Sequence, residues 1–323
     1  MADYINTFGQ KIQYLSSDPD PVQEGQVWYN STSNTLKYRG SNAATAWSSG
    51  GNLNTGRDQT AGAGSKGSGL AFGGGYPAVN NTEKYNGSSW TEVNNLNTAR
   101  RTMIGFGTQT AAIGAGGVTV ATNEIWNGTN WTEVNNLNTA RSSGKGVGIT
   151  TAGLAYGGYT NTNVAINESW NGTSWTEIAD MNTARATLGG AGTQGAALAF
   201  NGGPQANVGA GSIYNTETWN GSSWTEVNNT NTAAEGAGSS GISTSAITFG
   251  GSIYASSGPA ARTELWDGTS WTEVADLATG RSTLGSGSGG NNTSAIGFGG
   301  SGNTAATEEW TDPVLSTKTA DTD

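Results

Sequence analysis

The sequence predicts an all-β fold: a six-bladed β-propeller whose ring is closed by an N-terminal strand that completes the last blade. Three observations predict it. A unit of roughly 41 to 49 residues recurs six times within the 323 residues. Each complete unit carries the signals of four short strands, with an Asn-Gly or Asp-Gly hairpin turn between the last two. Aromatic residues recur at fixed places in the unit, which wedge-shaped blades need for packing.

The unit has a constant order of elements. It begins after a position that is Arg in all units but one, and a first strand of small residues follows. A second strand ends in Gly-Gly, and a loop of variable length leads to a third strand with a Glu and, two residues later, an aromatic residue. The fourth strand begins with Trp after the hairpin turn. The units begin after Arg57, Arg100, Arg141, Arg185, Glu235 and Arg281.

The sixth unit ends near Trp310 and lacks a fourth strand. A matching strand with an unattached Trp, Trp47, lies near the N-terminus, so we expect it to complete the last blade and remove an exposed edge. Residues 36–40 also resemble a third strand, which leaves two candidates for that role in the closing blade. The predicted organisation is a leader and hairpin over 1–32, a propeller over 33–311 and a tail over 312–323. Trp28, on the hairpin, is expected to anchor the leader.

Composition excludes several classes of function. The chain has no Cys and no His, which rules out a disulfide framework and thiolate metal sites. A net charge of −10 disfavours nucleic acids and anionic membranes as partners. No apolar run is long enough for a membrane span, and the N-terminus lacks the pattern of a secretory signal. No unique acidic cluster or Ca²⁺ loop stands out, so we predict no enzyme activity, no cofactor and no metal.

The double glycine, the third-strand aromatic and the fourth-strand Trp resemble the kelch repeat family over about residues 33–311. The resemblance implies a kelch-type propeller and leaves the function open, since such propellers serve as enzymes, adaptors and binding modules. Copper-dependent kelch enzymes use His and a Cys-modified Tyr, which this chain cannot supply.

Both termini carry a narrower resemblance. Residues 5–10, 25–32 and 316–323 are similar to segments of virion structural proteins of marine tailed bacteriophages. This implies a virion component on the particle surface, in a tail or fibre, that binds a host surface glycan or protein. The N-terminal segment would then dock to other virion proteins. A purely architectural capsid or tail decoration and a cellular kelch-like interaction module are the alternatives.

The recurring residues are assigned mainly to the scaffold. We expect Glu and Arg to pair within a blade or between neighbours, with a ligand-binding Arg ring as the alternative that the break at Ala234-Glu235 weakens. We expect the fourth-strand Trp residues to form the core between blades. The scaffold residues are Glu83, Glu124, Glu168, Glu217, Glu264, Glu308, Trp47, Trp90, Trp131, Trp175, Trp224 and Trp271.

The loops after the double glycine differ in length and should emerge on the face that also carries the connections between blades. Variable loops on a constant frame are typical of a binding surface, although unconstrained loops also drift without function. Tyr and Arg are enriched at binding hot spots. The candidate binding residues are therefore Tyr76, Tyr159, Tyr214, Tyr254 and Arg262.

Overall fold

The computed structural model describes residues 12–21, 26–41, 46–203, 213–253, 258–312 and 315–319. These residues form 28 strands and no helix, so this part of the chain has no helix that could span a membrane. The prediction of an all-β fold made of repeated four-stranded antiparallel sheets is confirmed. The chain divides into two compact units, residues 46–311 and residues 1–45 with 312–323.

The smaller unit is one mixed sheet. It consists of β1 (Gln13–Leu15), β2 (Val27–Asn30), β3 (Thr35–Ser41) and the last strand of the chain, β28 (Leu315–Thr319), in that order. The β1–β2 pair is parallel, and the other two pairs are antiparallel. Residues 36–40 thus belong to β3, and the third strand of the last repeated sheet is formed by residues 307–311 instead.

Asp18 connects the strands of the smaller unit. Its Oδ1 accepts hydrogen bonds from the indole of buried Trp28 at 3.1 Å and from the Asn30 amide at 2.8 Å. The Lys37 ammonium lies 2.9 Å from Oδ2. These hydrogen bonds, that of Asn30 first, hold the pKa of Asp18 below its usual value. Trp28 therefore packs with its polar edge satisfied.

The larger unit contains six antiparallel sheets, each with four strands in sequential order except the last. Sheet 1 is β5 (Ala61–Ser65), β6 (Ser68–Phe72), β7 (Thr82–Tyr85) and β8 (Trp90–Val93). Sheet 2 is β9 (Ile104–Gly107), β10 (Ala112–Ala115), β11 (Asn123–Trp126) and β12 (Trp131–Val134). Sheet 3 is β13 (Lys145–Ile149), β14 (Ala152–Tyr156), β15 (Asn167–Trp170) and β16 (Trp175–Ile178).

The remaining sheets repeat the pattern. Sheet 4 is β17 (Gly189–Gly192), β18 (Ala197–Phe200), β19 (Thr216–Trp219) and β20 (Trp224–Val227). Sheet 5 is β21 (Gly238–Ile242), β22 (Ser245–Phe249), β23 (Thr263–Trp266) and β24 (Trp271–Val274). Sheet 6 is β25 (Gly285–Ser286), β26 (Ser294–Phe298), β27 (Thr307–Thr311) and, as its fourth strand, β4 (Ala46–Ser49). In that last pair Trp47 lies opposite Trp310.

The core lies between neighbouring sheets. The Trp that opens a fourth strand packs against an aromatic ring of the preceding sheet, as Trp131 does against Phe72 at a centroid distance of 4.8 Å. Its indole also donates across the gap, to Thr82 Oγ1 at 3.0 Å. These Trp side chains are at most 6% exposed in sheets 1 to 5. Each therefore joins two sheets by its apolar face, and those of sheets 1, 2 and 5 add an indole hydrogen bond.

Arg and Glu form a buried clamp at the entry to a sheet. Arg100 donates to Glu124 at 2.8 Å, while the backbone and side-chain amides of Asn97 bind the other carboxylate oxygen at 2.8 and 2.7 Å. The Asn and the Arg thus attach the incoming connection to the third strand of the sheet that it enters. Equivalent pairs are Arg57–Glu83, Arg141–Glu168, Arg185–Glu217 and Arg281–Glu308.

Candidate functional site

The connections that enter the six sheets meet at one ring of backbone hydrogen bonds. In each connection after the first, one residue donates its N–H to the carbonyl of the equivalent residue in the preceding connection. Gln59 of the first connection donates to Thr283 of the last, and all six hydrogen bonds are 2.7 to 3.1 Å long. The first strands of successive sheets lie side by side below this ring, and β25 also contacts β5. The ring residues are Gln59, Thr102, Ser143, Thr187, Gly236 and Thr283.

All six ring residues have a positive φ, between 51° and 63°. Five of them are not glycine, and the left-handed region is unfavourable for Thr in particular because its side chain is branched at Cβ. The hydroxyls of the three Thr residues in the ring each donate to the carbonyl of the preceding residue, at 2.6 to 2.7 Å. The conformation recurs in all six connections and is held by the ring of backbone hydrogen bonds, so it belongs to the scaffold around the site.

A cavity of about 500 Å³ opens outside the ring. We call it the funnel. It is lined by residues of the connections, including Arg101 and Glu235, and by residues of the variable loops, including Thr119, Tyr159 and Asn161. The connections and several variable loops thus lie around one concave surface of a size typical of small-ligand sites.

The candidate binding residues are distributed unevenly around the funnel. Tyr159 lines it, and the backbone of Tyr159 pairs with Ser142. Tyr76 is 74% exposed and lies against the guanidinium of Arg101, a funnel residue, at 4.8 Å from its ring centroid. Tyr214 is half exposed and does not line the funnel. Tyr254 lies outside the described residues.

Arg262 is partly buried and lies away from the funnel. Its guanidinium donates to Thr232 Oγ1, and it lines a cavity of about 10 Å³, room for about one water, beside Glu264 and Ala234. Ala234 occupies the position that holds Arg in the other five clamps, so Glu264 has no ion pair among the described residues. Burial raises the pKa of Glu264. Arg262 is thus placed at a modified clamp.

Sequence reasoning missed three charged residues of this region. Arg101 follows the clamp residue Arg100 directly, and its Nη1 donates to Gln59 Oε1 at 2.6 Å. Glu235 lies at the break in the series of Arg residues, and its partial burial in the funnel wall raises its pKa. Lys145 lies in an inner cavity of about 120 Å³ on the other side of the ring. Arg101 and Glu235 share one repeat position, which is Asp58 in the first unit and uncharged in the other three, whereas Lys145 is the only charged residue at its position.

The side chains of the funnel wall are suited to binding a polar ligand. Its wall combines hydroxyls, an amide, a phenol and one charge of each sign, which can donate to and accept from a polar ligand. Within the described ranges no group of three or more His, Cys, Asp or Glu side chains could hold a metal ion. No model of a protein family matches the chain, and no curated protein sequence is significantly similar to it.

Proposed function

We propose that the six sheets are the blades of a closed, kelch-type propeller and that β4 closes the ring by completing the last blade. The pairing of β4 with β27 across more than 250 residues of sequence supports this. The hydrogen bond from Gln59 to Thr283 supports it as well, because it joins the first connection to the last. Such closure leaves the last sheet without a free third-strand edge.

We propose that the protein is a non-enzymatic component of a bacteriophage virion, displayed on the particle surface in a tail or fibre, where it binds a host surface glycan or protein. The resemblance of both termini to phage virion proteins supports the location. The funnel carries the binding role, because it is a concave surface of about 500 Å³ and variable loops form part of its wall. The N-terminal segment would attach the chain to other virion proteins.

A polar saccharide fits the funnel wall. Sugar hydroxyls need both donors and acceptors, which Thr119, Asn161 and Glu235 offer, and sugar rings pack on aromatic faces such as that of Tyr159. The Tyr76–Arg101 pair fixes a cation and an aromatic ring beside the same opening. The wall is more polar than that of a typical pocket for apolar cofactors.

A glycan array and a cell-binding assay test this proposal. Wild-type protein should retain a defined set of glycans or bind susceptible cells, and Asn161→Trp should weaken that binding because the indole occupies part of the funnel. Ile149→Trp is the matched control, since Ile149 is exposed at the turn between β13 and β14 and does not line the funnel. Absence of any binding to glycans or cells, with stable attachment to virions, would favour an architectural role instead.

A further inference from the structure

The inner cavity contains one charge. It is lined by the ring residues and by the beginnings of the first strands, and Lys145 is the only ionisable side chain among the described residues of its wall. The six first strands otherwise hold uncharged residues only, most of them Gly, Ala and Ser. At the register position of Lys145 the other sheets have Ala61, Ile104, Gly189, Gly238 and Gly285. The lysine is therefore a local departure from the repeat.

No described residue balances this charge. Lys145 makes no side-chain hydrogen bond or ion pair with any residue in the described ranges. The residue opposite it in register is Tyr156, whose hydroxyl donates to the Leu198 carbonyl at 3.0 Å and whose pKa is raised by burial, so it is neutral at physiological pH. Desolvation lowers the pKa of Lys145 to about 8. An ammonium placed in this way lacks a counter-ion.

The neighbouring sheet makes room for the lysine stem. A Cβ placed on Gly190 would lie 2.8 Å from Lys145 Cγ and 2.0 Å from Tyr156 Oη. Glycine at this position therefore lets the stem pass between sheets 3 and 4 toward the cavity. The lysine stem thus occupies the space that a side chain at position 190 would take between these sheets.

We propose that the inner cavity is a binding site for a small oxyanion, a carboxylate or phosphate group, held by the ammonium of Lys145. The ammonium offers three donors, and its attraction to an anion is stronger inside the protein than in water. The funnel gives access to the site, because Gln59, Thr102 and Thr187 line both cavities. The proposal does not depend on host binding, since a free anion can occupy the cavity of a purely architectural protein.

The direct test follows the Lys145 ammonium by NMR of the six lysine side chains at constant ionic strength. In chloride alone Lys145 should titrate near its lowered pKa. Saturating acetate or phosphate should raise its pKa by at least one unit, about a tenfold preference of the anion for the charged amine. Lys84, which binds the Gly128 carbonyl and does not line the cavity, is the internal control. No change at Lys145 with either anion would overturn the proposal.

Variants and ligand size identify the determinant and the source of the oxyanion. Lys145→Met should weaken acetate binding at least tenfold, while Lys145→Arg should retain it; unchanged binding by Lys145→Met would contradict the proposal. A uronic-acid tetrasaccharide that shifts Lys145 as acetate does would assign the group to an acidic glycan. A shift with acetate alone would assign it to a free anion. Cell binding is measured separately on the same variants, so failure of host binding and failure of the anion site give different results.

Discussion

In the clamp of Asn, Arg and Glu, the contribution of the Glu to stability depends on whether an arginine faces it. In sheet 4 both Arg185 and Glu217 are fully buried and lie 3.0 Å apart. In sheet 5 the same carboxylate, Glu264, accepts hydrogen bonds from Asn231 and Thr232 but has Ala234 in place of the arginine. Removing the charge therefore has different consequences in the two sheets.

Glu217→Gln should lower the free energy of unfolding by about 3–5 kcal/mol, because it leaves the Arg185 guanidinium buried without a counter-charge. Glu264→Gln is the matched control and should cost less than about 1 kcal/mol, since it leaves no buried cation unpaired. Urea denaturation at pH 7 measures both. Equal losses would show that the carboxylates act through their hydrogen bonds to the Asn residues rather than through the arginine.

The indole bonds between sheets provide a second comparison. Trp90, Trp131 and Trp271 each donate to a Thr of the preceding sheet. Trp175 and Trp224 have no acceptor among the described residues. The residues at the corresponding positions are Asn123 and Asn167, whose side-chain oxygens are buried and have no partner there either. At these two contacts, between sheets 2 and 3 and between sheets 3 and 4, the indole and the Asn oxygen are both unsatisfied.

Asn167→Thr should therefore raise the free energy of unfolding by about 0.5–1 kcal/mol by restoring the indole bond of Trp224. The gain is reduced by the loss of the Asn167 amide bond to the Ala179 carbonyl, 3.2 Å long. Thermal unfolding checks the sign, with Thr216→Asn, the reverse change at an intact bond, expected to lower the melting temperature. A lower stability of Asn167→Thr would mean that the amide bond is the more valuable one.

Lys145 should make the folded state less stable when no anion is bound. Its folded pKa is lower than that of the unfolded chain, so the penalty is complete below pH 8 and disappears as the pH rises toward the unfolded value. Lys145→Met should raise the free energy of unfolding by about 1–2 kcal/mol at pH 7, after allowance for solvent in the cavity, and leave it unchanged near pH 10.5. Denaturation at both pH values in chloride buffer measures this. Destabilisation at pH 7 would assign Lys145 a packing role.

At the scale of single residues, the sequence reveals the side chains that recur from unit to unit. The Arg and Glu positions and the Trp positions are visible because they repeat, and repetition indicates a shared scaffold role. Lys145 and Arg101 are hard to recognise for the opposite reason, because a single charged residue carries no periodic signal. Their importance depends on neighbours such as Gln59 and Tyr156 that the chain brings together only on folding.

Among the strands of the larger unit, β4 is the one that its sheet takes from the opposite end of the chain. It supplies the fourth strand of sheet 6, and Trp47 packs on Phe249 of sheet 5 at 4.6 Å while donating to Thr263 Oγ1 at 2.8 Å. This strand thus makes the same contacts as the fourth strands that follow their third strands directly. Because β4 is the first strand of the larger unit, it can be deleted without interrupting the rest of that unit.

Deleting residues 1–49 should lower the melting temperature by at least roughly 10 °C relative to a deletion of residues 1–45. The shorter deletion removes the smaller unit's first three strands and keeps β4, so the comparison isolates the loss of this strand. The longer deletion exposes the edge of β27 and the pocket that Trp47 fills. Calorimetry of both proteins measures the difference, and coincident unfolding curves would contradict a role of β4 in stability.

Sequence patterns located most strands because the turns between them have specific chemistry. Asn-Gly and Asp-Gly mark the third hairpin of sheets 1 to 5, and Gly87 and its equivalents have positive φ there. The two candidates for a third strand in the closing blade could not be separated in this way. Residues 36–40 and 307–311 have similar alternation, and only the pairing of β3 with β2 and β28 excludes the former.

At the scale of the whole molecule, the larger unit combines a constant frame with one variable opening, the funnel. Ring bonds, clamps and indole contacts use residues that recur in almost every unit, and the funnel lies where the units differ. The formal charge of −10 disfavours polyanionic partners, while Arg101 and Lys145 place positive charge at the funnel and in the inner cavity. Fold can therefore be inferred from repetition, whereas ligand chemistry depends on departures from it.

The proposed place in a virion is tested most directly by electron cryo-microscopy of purified particles. We expect a disc of six wedge-shaped blades at an exposed position on the tail or fibre, with the Tyr76 and Tyr159 loops facing outward and the N-terminal segment against another virion protein. Particles that lack this chain, or a disc whose loop face is buried against the particle, would contradict it.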